Sequence, residues 1–137
     1  MTLKELSQVY YLNIEIKRNE EEIENLRNKA EKITASALGF SFSKNEQSKI
    51  ERNVIEIADK QAETDCYIKR LQAEKKRILE YINAIDDSRL RLIFRMRFID
   101  CKPWNEVAAA LNNTEDCVKK SCYRYIKKSC PVCPDSV

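Results

Sequence analysis

Residues 104–128 read WNEVAAALNNTEDCVKKSCYRYIKK, and this stretch decides the fold. After the break at Cys101-Lys102-Pro103, Trp104 starts a short helix that runs to Leu111. Asn112-Asn113-Thr114 then interrupts it. Asn is the non-Gly residue best suited to a left-handed turn position, and Thr114 supplies a side-chain oxygen to cap the next helix. From Glu115 to about Ser129 the pattern is helical again. At about 100° per residue, Val118, Cys122 and Tyr125 form one apolar stripe, extended by Ile126 and Ser121. Asp116, Lys120, Tyr123, Arg124 and Lys127 project on the other side, with Lys119 at its edge.

Immediately upstream, Asp86-Asp87-Ser88 supplies an N-cap, and Arg89 to Ile99 forms a third helix. Leu90, Ile93, Phe94 and Phe98 cluster on one side of it, and Leu92, Met96 and Ile99 nearly opposite. Apolar residues on two sides predict a helix buried between two neighbours. Cys101-Lys102-Pro103 breaks it. A short helix, an Asn turn and a capped basic helix in that order is the helix-turn-helix arrangement, whose second helix enters the major groove of DNA. On that reading Lys119, Lys120, Arg124 and Lys127 neutralise phosphates, with Tyr123 on the same face, and the free N–H groups at Thr114–Asp116 face a phosphate. Glu115 and Asp116 either accept from cytosine N4 or only complement the helix dipole. Lys127, together with Lys128, also fits an ordinary dipole-matched helix C-terminus.

Farther upstream the apolar residues recur in steps of three and four. Val9, Ile16, Ile23, Ala30 and Ala37 share one heptad position, and Leu12, Asn19, Leu26 and Ile33 share the other. The only Gly, Gly39, then marks a reversal, and Ser43 with Glu46 reads as a capping box. A second heptad helix comes next. Its d-type set is Ile50, Ile57, Thr64, Leu71, Ile78 and Ile85, and its a-type set is Gln47, Val54, Gln61, Ile68, Lys75 and Ile82. Two such helices joined by a short loop predict an antiparallel coiled-coil hairpin. The favoured register places Asn19 opposite Gln61, Ile16 against Thr64 and Leu26 against Val54, so that the polar seam residues share a layer. A register shifted by about one heptad pairs Asn19 with Ile68 and fits a shorter loop. An isolated two-helix hairpin buries a single seam, which predicts packing against a second copy or the C-terminal domain.

The expected fold is therefore all-α, a hairpin over 1–86 followed by a three-helix domain over 87–129 and a tail over 130–137. Composition agrees. One Gly and no His in 137 residues exclude turn-rich sheets, glycine phosphate loops, imidazole bases and His metal ligands, and a non-enzyme without a cofactor is expected. Residues 1–87 carry 15 Lys/Arg against 17 Asp/Glu, whereas residues 88–130 carry 10 against 4. That basic block implies an anionic partner. The sequence has no basic leader with an apolar core and no apolar run approaching 18 residues, so a cytoplasmic protein without membrane contact is expected, its six Cys reduced. Cys130 and Cys133 form a Cys-x-x-Cys pair in the tail. Cys117 and Cys122, five apart on one helix, converge poorly with it, and no metal site is expected.

These residues carry a family resemblance. Met96-Arg97-Phe98, the helix Trp104-Asn105-Glu106-Val107-Ala108-Ala109-Ala110-Leu111, and Thr114 followed by Cys117-Val118-Lys119 resemble the promoter-reading region four of bacterial sigma factors. Asn112 stands where that family prefers Gly, and Asn113 where it prefers an apolar residue. The layout over residues 3–129 is similar to that of small phage and prophage sigma-like (ArpU-like) transcriptional regulators. The resemblance implies a DNA-binding regulator of phage genes without catalytic activity, with residues 115–128 as recognition helix. Double-stranded DNA is the implied partner, host RNA polymerase a further one, and homodimerisation through the coiled coil is expected. A DNA-packaging recognition subunit of the small-terminase type is the alternative, and a coiled-coil module that binds only protein is a third reading.

Overall fold

The computed structural model describes residues 1–37 and 44–129, whose only regular elements are helices, without strands. The elements are α1 (Leu3–Leu6), α2 (Gln8–Ala37), α3 (Lys44–Asn83), α4 (Ser88–Phe94), a π-helical turn (Arg95–Ile99), α5 (Trp104–Ala110) and α6 (Glu115–Ser129). Among the described residues no helix is long and apolar enough to cross a membrane. Gly39, the Ser43/Glu46 capping box and the Cys130/Cys133 pair lie outside the described residues.

The chain divides into two compact units, Leu12–Arg70 and the remainder, Met1–Tyr11 with the chain from Leu71 onward. The division falls inside both long helices, whereas the sequence pattern puts one boundary at residues 86/87. The reason is the placement of the first residues. Leu6 and Val9 are fully buried in one core with Ile78, Ile82 and Ile85 of α3, with Ile93, Phe94 and Phe98, with Val107 and Ala108 of α5, and with Val118, Cys122 and Ile126 of α6. A heptad stripe specifies which side of a helix is apolar but not what covers it, so the two ends of the stalk pattern pass into this core. Short α1 begins at a reciprocal cap: the Thr2 N–H donates to Glu5 Oε2 (2.7 Å), and the Glu5 N–H donates to Thr2 Oγ1 (3.3 Å). The Thr2 backbone N–H first, then the Thr2 hydroxyl donating to the same Oε2 (3.2 Å), hold the Glu5 carboxyl below its ordinary range, with Arg77 adding to the effect.

Phe94 is the centre of the aromatic packing, with ring centroids 5.4 Å from Phe98, 5.6 Å from Tyr125 and 6.2 Å from Tyr81. The expectation that residues 89–99 are buried on two sides holds fully for the Ile93, Phe94 and Phe98 side and in part for the other, where Met96 and Ile99 pack against the core but Leu92 does not. Leu92 is 48% exposed, and Met96 and Ile99 are half-buried. Beyond Phe94 the helix widens: the Asp100 N–H donates to Arg95 O (3.0 Å), and Cys101 ends the turn with a positive φ of 55°.

In the Leu12–Arg70 unit, α2 buries Leu12, Ile16, Asn19 and Ile23, the expected seam. Glu22 pairs with Lys60, Glu15 lies near Tyr67, and Leu26 shares a recess with Glu56 and Asp59, so the two segments run in opposite directions. Lys60 is two positions from Ala58, which the favoured register sets against Glu22, and five from Asp65 of the shifted one. The d-type set of α3 lies inward, with Thr64 buried and Ile50 and Ile57 half-buried. The a-type set is split: Ile82 is buried and Ile68 half-buried, but Val54 is 57% exposed and Gln61 is exposed, with Asn53 and Lys60 half-buried beside them. Lys60 is half-buried and reaches the Glu22 carboxylate, which an ammonium on a long apolar stem permits. The expected Asn19–Gln61 layer is therefore not formed. Thr64 Oγ1 donates to Lys60 O (2.7 Å), and Asn19 Nδ2 is buried with no hydrogen-bond partner among the described residues.

Candidate nucleic-acid interface

The turn between α5 and α6 sets the site. The Asn113 N–H donates to Ala108 O (2.9 Å) and the Asn112 N–H to Ala109 O (3.3 Å), and Asn112 has φ 51°. This is the Schellman arrangement, in which a left-handed residue returns the last N–H groups to free helix carbonyls. Asn tolerates that conformation better than other residues with a β-carbon, as the sequence predicts. Thr114 Oγ1 then accepts from the Cys117 N–H (3.3 Å), capping α6. Asp87 does the same for α4, its Oδ1 accepting from the Arg89 N–H (2.9 Å).

On α6 the inward stripe is Val118 and Cys122, both fully buried, with Ile126 nearly so; Ser121 and Tyr125 are half-buried. Burial pushes the Cys122 thiol up to about 12, against a smaller opposing pull from Arg97. That stripe packs on Val107 and Ala108 of α5 within the common core. Thr114, Glu115, Asp116, Lys120, Tyr123, Arg124 and Lys127 are exposed, and Lys119 is half-buried. All eight residues singled out in the sequence thus lie on α6 or at its cap.

They are not equivalent. Lys119 Nζ lies 4.0 Å from Glu115 Oε2, so each has a partner already. Tyr123 packs edge-on against Trp104 at 6.1 Å, and the Arg97 guanidinium sits 4.8 Å over the Trp104 ring. Lys120, Arg124, Lys127 and Lys128 form no ion pair among the described residues.

Much of the basic block of residues 88–130 is committed to structure. Arg91 donates to Asp86 O (3.0 Å), to Ile85 O and to Ser88 Oγ (2.8 Å), tying α4 to the end of α3. Arg97 donates to Lys102 O (3.0 Å) besides covering Trp104. Arg89 was not legible as part of the site. Its Nη1 donates to Ser121 Oγ (3.3 Å) and its Nη2 reaches Cys117 Sγ (3.6 Å), contacts 32 and 28 residues apart in sequence. Only the density of Arg between residues 89 and 97 hinted at it.

Among the described residues no group of three or more Cys, Asp or Glu is placed to hold a metal ion. Cys66 and Cys117 are exposed free thiols. No family model, no curated protein and no solved structure matches this chain.

Proposed function

We propose that the chain is a sequence-specific DNA-binding transcriptional regulator of the phage sigma-like kind, a non-enzyme. In this reading α4, α5 and α6 form a helix-turn-helix domain, and α6 enters the major groove. The Leu12–Arg70 segments form an antiparallel coiled-coil hairpin that dimerises the protein. The observation that carries the proposal is the two-sidedness of α6. Val118, Cys122 and Ile126 anchor it, while Lys120, Arg124 and Lys127 stand exposed with no carboxylate partner among the described residues. Unpaired cations along a helix anchored on its other side match the phosphate-lined major groove in charge and width. Self-association is supported by Val54 and Ile55, which leave apolar area on α3 that a second copy would cover.

Fluorescence anisotropy with a mixed-sequence duplex tests the reading. Wild type binds at low salt and loses affinity steeply as salt rises. The triple variant K120A/R124A/K127A loses about one unit of log–log salt slope per phosphate contact removed. If both proteins ignore DNA at low salt, the DNA reading fails. A ring of more than about six copies by light scattering replaces a regulator with a packaging subunit, since regulators are usually closed dimers.

A further inference from the structure

We infer that the cleft between Arg89 of α4 and the flank of α6 seats a DNA backbone phosphate, held by Arg89, Arg124 and Lys128. The inference rests on the reading of α6 as the helix in the major groove and extends its footprint to a second element. The cleft has a volume of about 360 Å³, and Asp87, Arg89, Ser121, Arg124 and Lys128 lie along it. Three cations meet one carboxylate there, and Asp87 Oδ1 already accepts the Arg89 backbone N–H. None of the three cations has an ion-pair partner among the described residues.

Arg89 is held in place rather than loose. Ser121 Oγ accepts from its Nη1 (3.3 Å) and donates in turn to Cys117 O (2.9 Å), while Nη2 rests on Cys117 Sγ (3.6 Å). The guanidinium keeps further N–H donors beyond these two, arranged in the fork that matches phosphate oxygens.

The position specifies which part of DNA is met. A helix with its side chains is about 10–12 Å across and the major groove is about 12 Å wide, so the flanks of a seated helix meet the phosphate walls while its outer face meets base edges. Lys120, Arg124 and Lys128 are spaced four residues apart on α6 and so turn by only about 40° per step, running from the outer face into the cleft. Arg124 belongs to both. Contacts on such a flank set register and affinity without reading sequence.

The test uses the full chain and a mixed-sequence duplex, with salt titrations of wild type, R89A, K128A and, as a reference cation of the other unit, K17A. R89A and K128A each lower the log–log salt slope by about one unit, and by equal factors on two unrelated duplexes, whereas K17A leaves it unchanged. K128A replaces an exposed residue without hydrogen bonds to α4, so it decides the matter if R89A melts early. Wild type that binds DNA while R89A and K128A keep its slope and stay within twofold of its affinity overturns this assignment and leaves the DNA reading standing. Wild type that does not bind DNA overturns both. Inorganic phosphate that raises the melting temperature of wild type but not of R89A, with no change of DNA slope in R89A, assigns the cleft to a free anion and also overturns it.

Discussion

Replacing Leu6 with Ala removes a side chain that lies inside the hairpin range 1–86 expected from the sequence and that the structure gives to the C-terminal core. Leu6 is fully buried, and Leu→Ala at such sites costs about 2–5 kcal/mol. The unit it belongs to comprises about 70 described residues, for which total stability is on the order of 3.5–10 kcal/mol. A loss of about 3 kcal/mol is thus a large share, and at about 4–8 °C per kcal/mol for a domain this size it lowers the melting temperature by about 12–24 °C. The protein has one Trp, and Trp104 lies in the same unit, so its fluorescence reports the melting of that unit alone. Leu3→Ala is the control, since Leu3 is 41% exposed and its truncation costs far less. If L6A and L3A both melt within 4 °C of wild type by Trp fluorescence, residues 1–11 are not part of that core and the division of the chain at Tyr11 and Leu71 is wrong.

Four further outcomes are expected. Asn112→Ala destabilises by about 1 kcal/mol in chemical denaturation because Ala has the β-carbon disfavoured at φ 51° without the short polar side chain that lets Asn tolerate it, whereas Asn112→Gly, with no β-carbon, stays within about 0.5 kcal/mol of wild type; equal losses refute the strain account. Asn19→Leu stabilises the Leu12–Arg70 unit by about 1–3 kcal/mol in a circular-dichroism melt, since it removes a buried amide nitrogen without a partner; destabilisation shows that the amide is satisfied. Glu5 has a lowered folded pKa, so its contribution is present above the unfolded carboxylate pKa and is lost as pH falls through the lowered value; Glu5→Gln flattens that acid limb of the stability profile, and an unchanged limb refutes the role. Iodoacetamide at pH 8 modifies Cys66 and Cys117 well before Cys122, whose thiol is buried and pushed up to about 12; peptide mapping that finds Cys122 alkylated at the same rate contradicts its burial.

Local signals were legible wherever one residue's chemistry decides the backbone. Asn112 in a left-handed turn, Thr114 and Asp87 as caps, and the Val118/Cys122 stripe follow from short-range sterics and hydrogen bonding. The α2 seam follows from period alone, and so does the d-type set of α3. Period places Ile82 of the second column of α3 correctly but misplaces Val54 and Gln61, which it ranks above Asn53 and Lys60, where the cross-helix pair of Lys60 with Glu22 draws the inward side one residue over. Nor does any spacing rule identify Cys101 as a positive-φ residue: the widening of the preceding turn, closed from Asp100 to Arg95, creates that position. At the candidate site the exposed side of α6 was readable from one helix. Arg89 was not, because its partners Ser121 and Cys117 come close only after three helices pack.

The burial of Leu6 and Val9 with Val118 and Cys122 also places a demand on synthesis. Val9 leaves the ribosome more than a hundred residues before Val118 does. At about 5–20 residues per second, the first turns of the chain wait on the order of 5–20 s for their partners. Ile78, Ile82 and Ile85 of the same core are made within that interval. Closing a long loop costs conformational entropy that grows only with the logarithm of its length, so the late arrival of α6 adds little to the cost of completing that core. The core is therefore one whose first and last members are separated by nearly the whole of synthesis, so a truncation of either end leaves it incomplete.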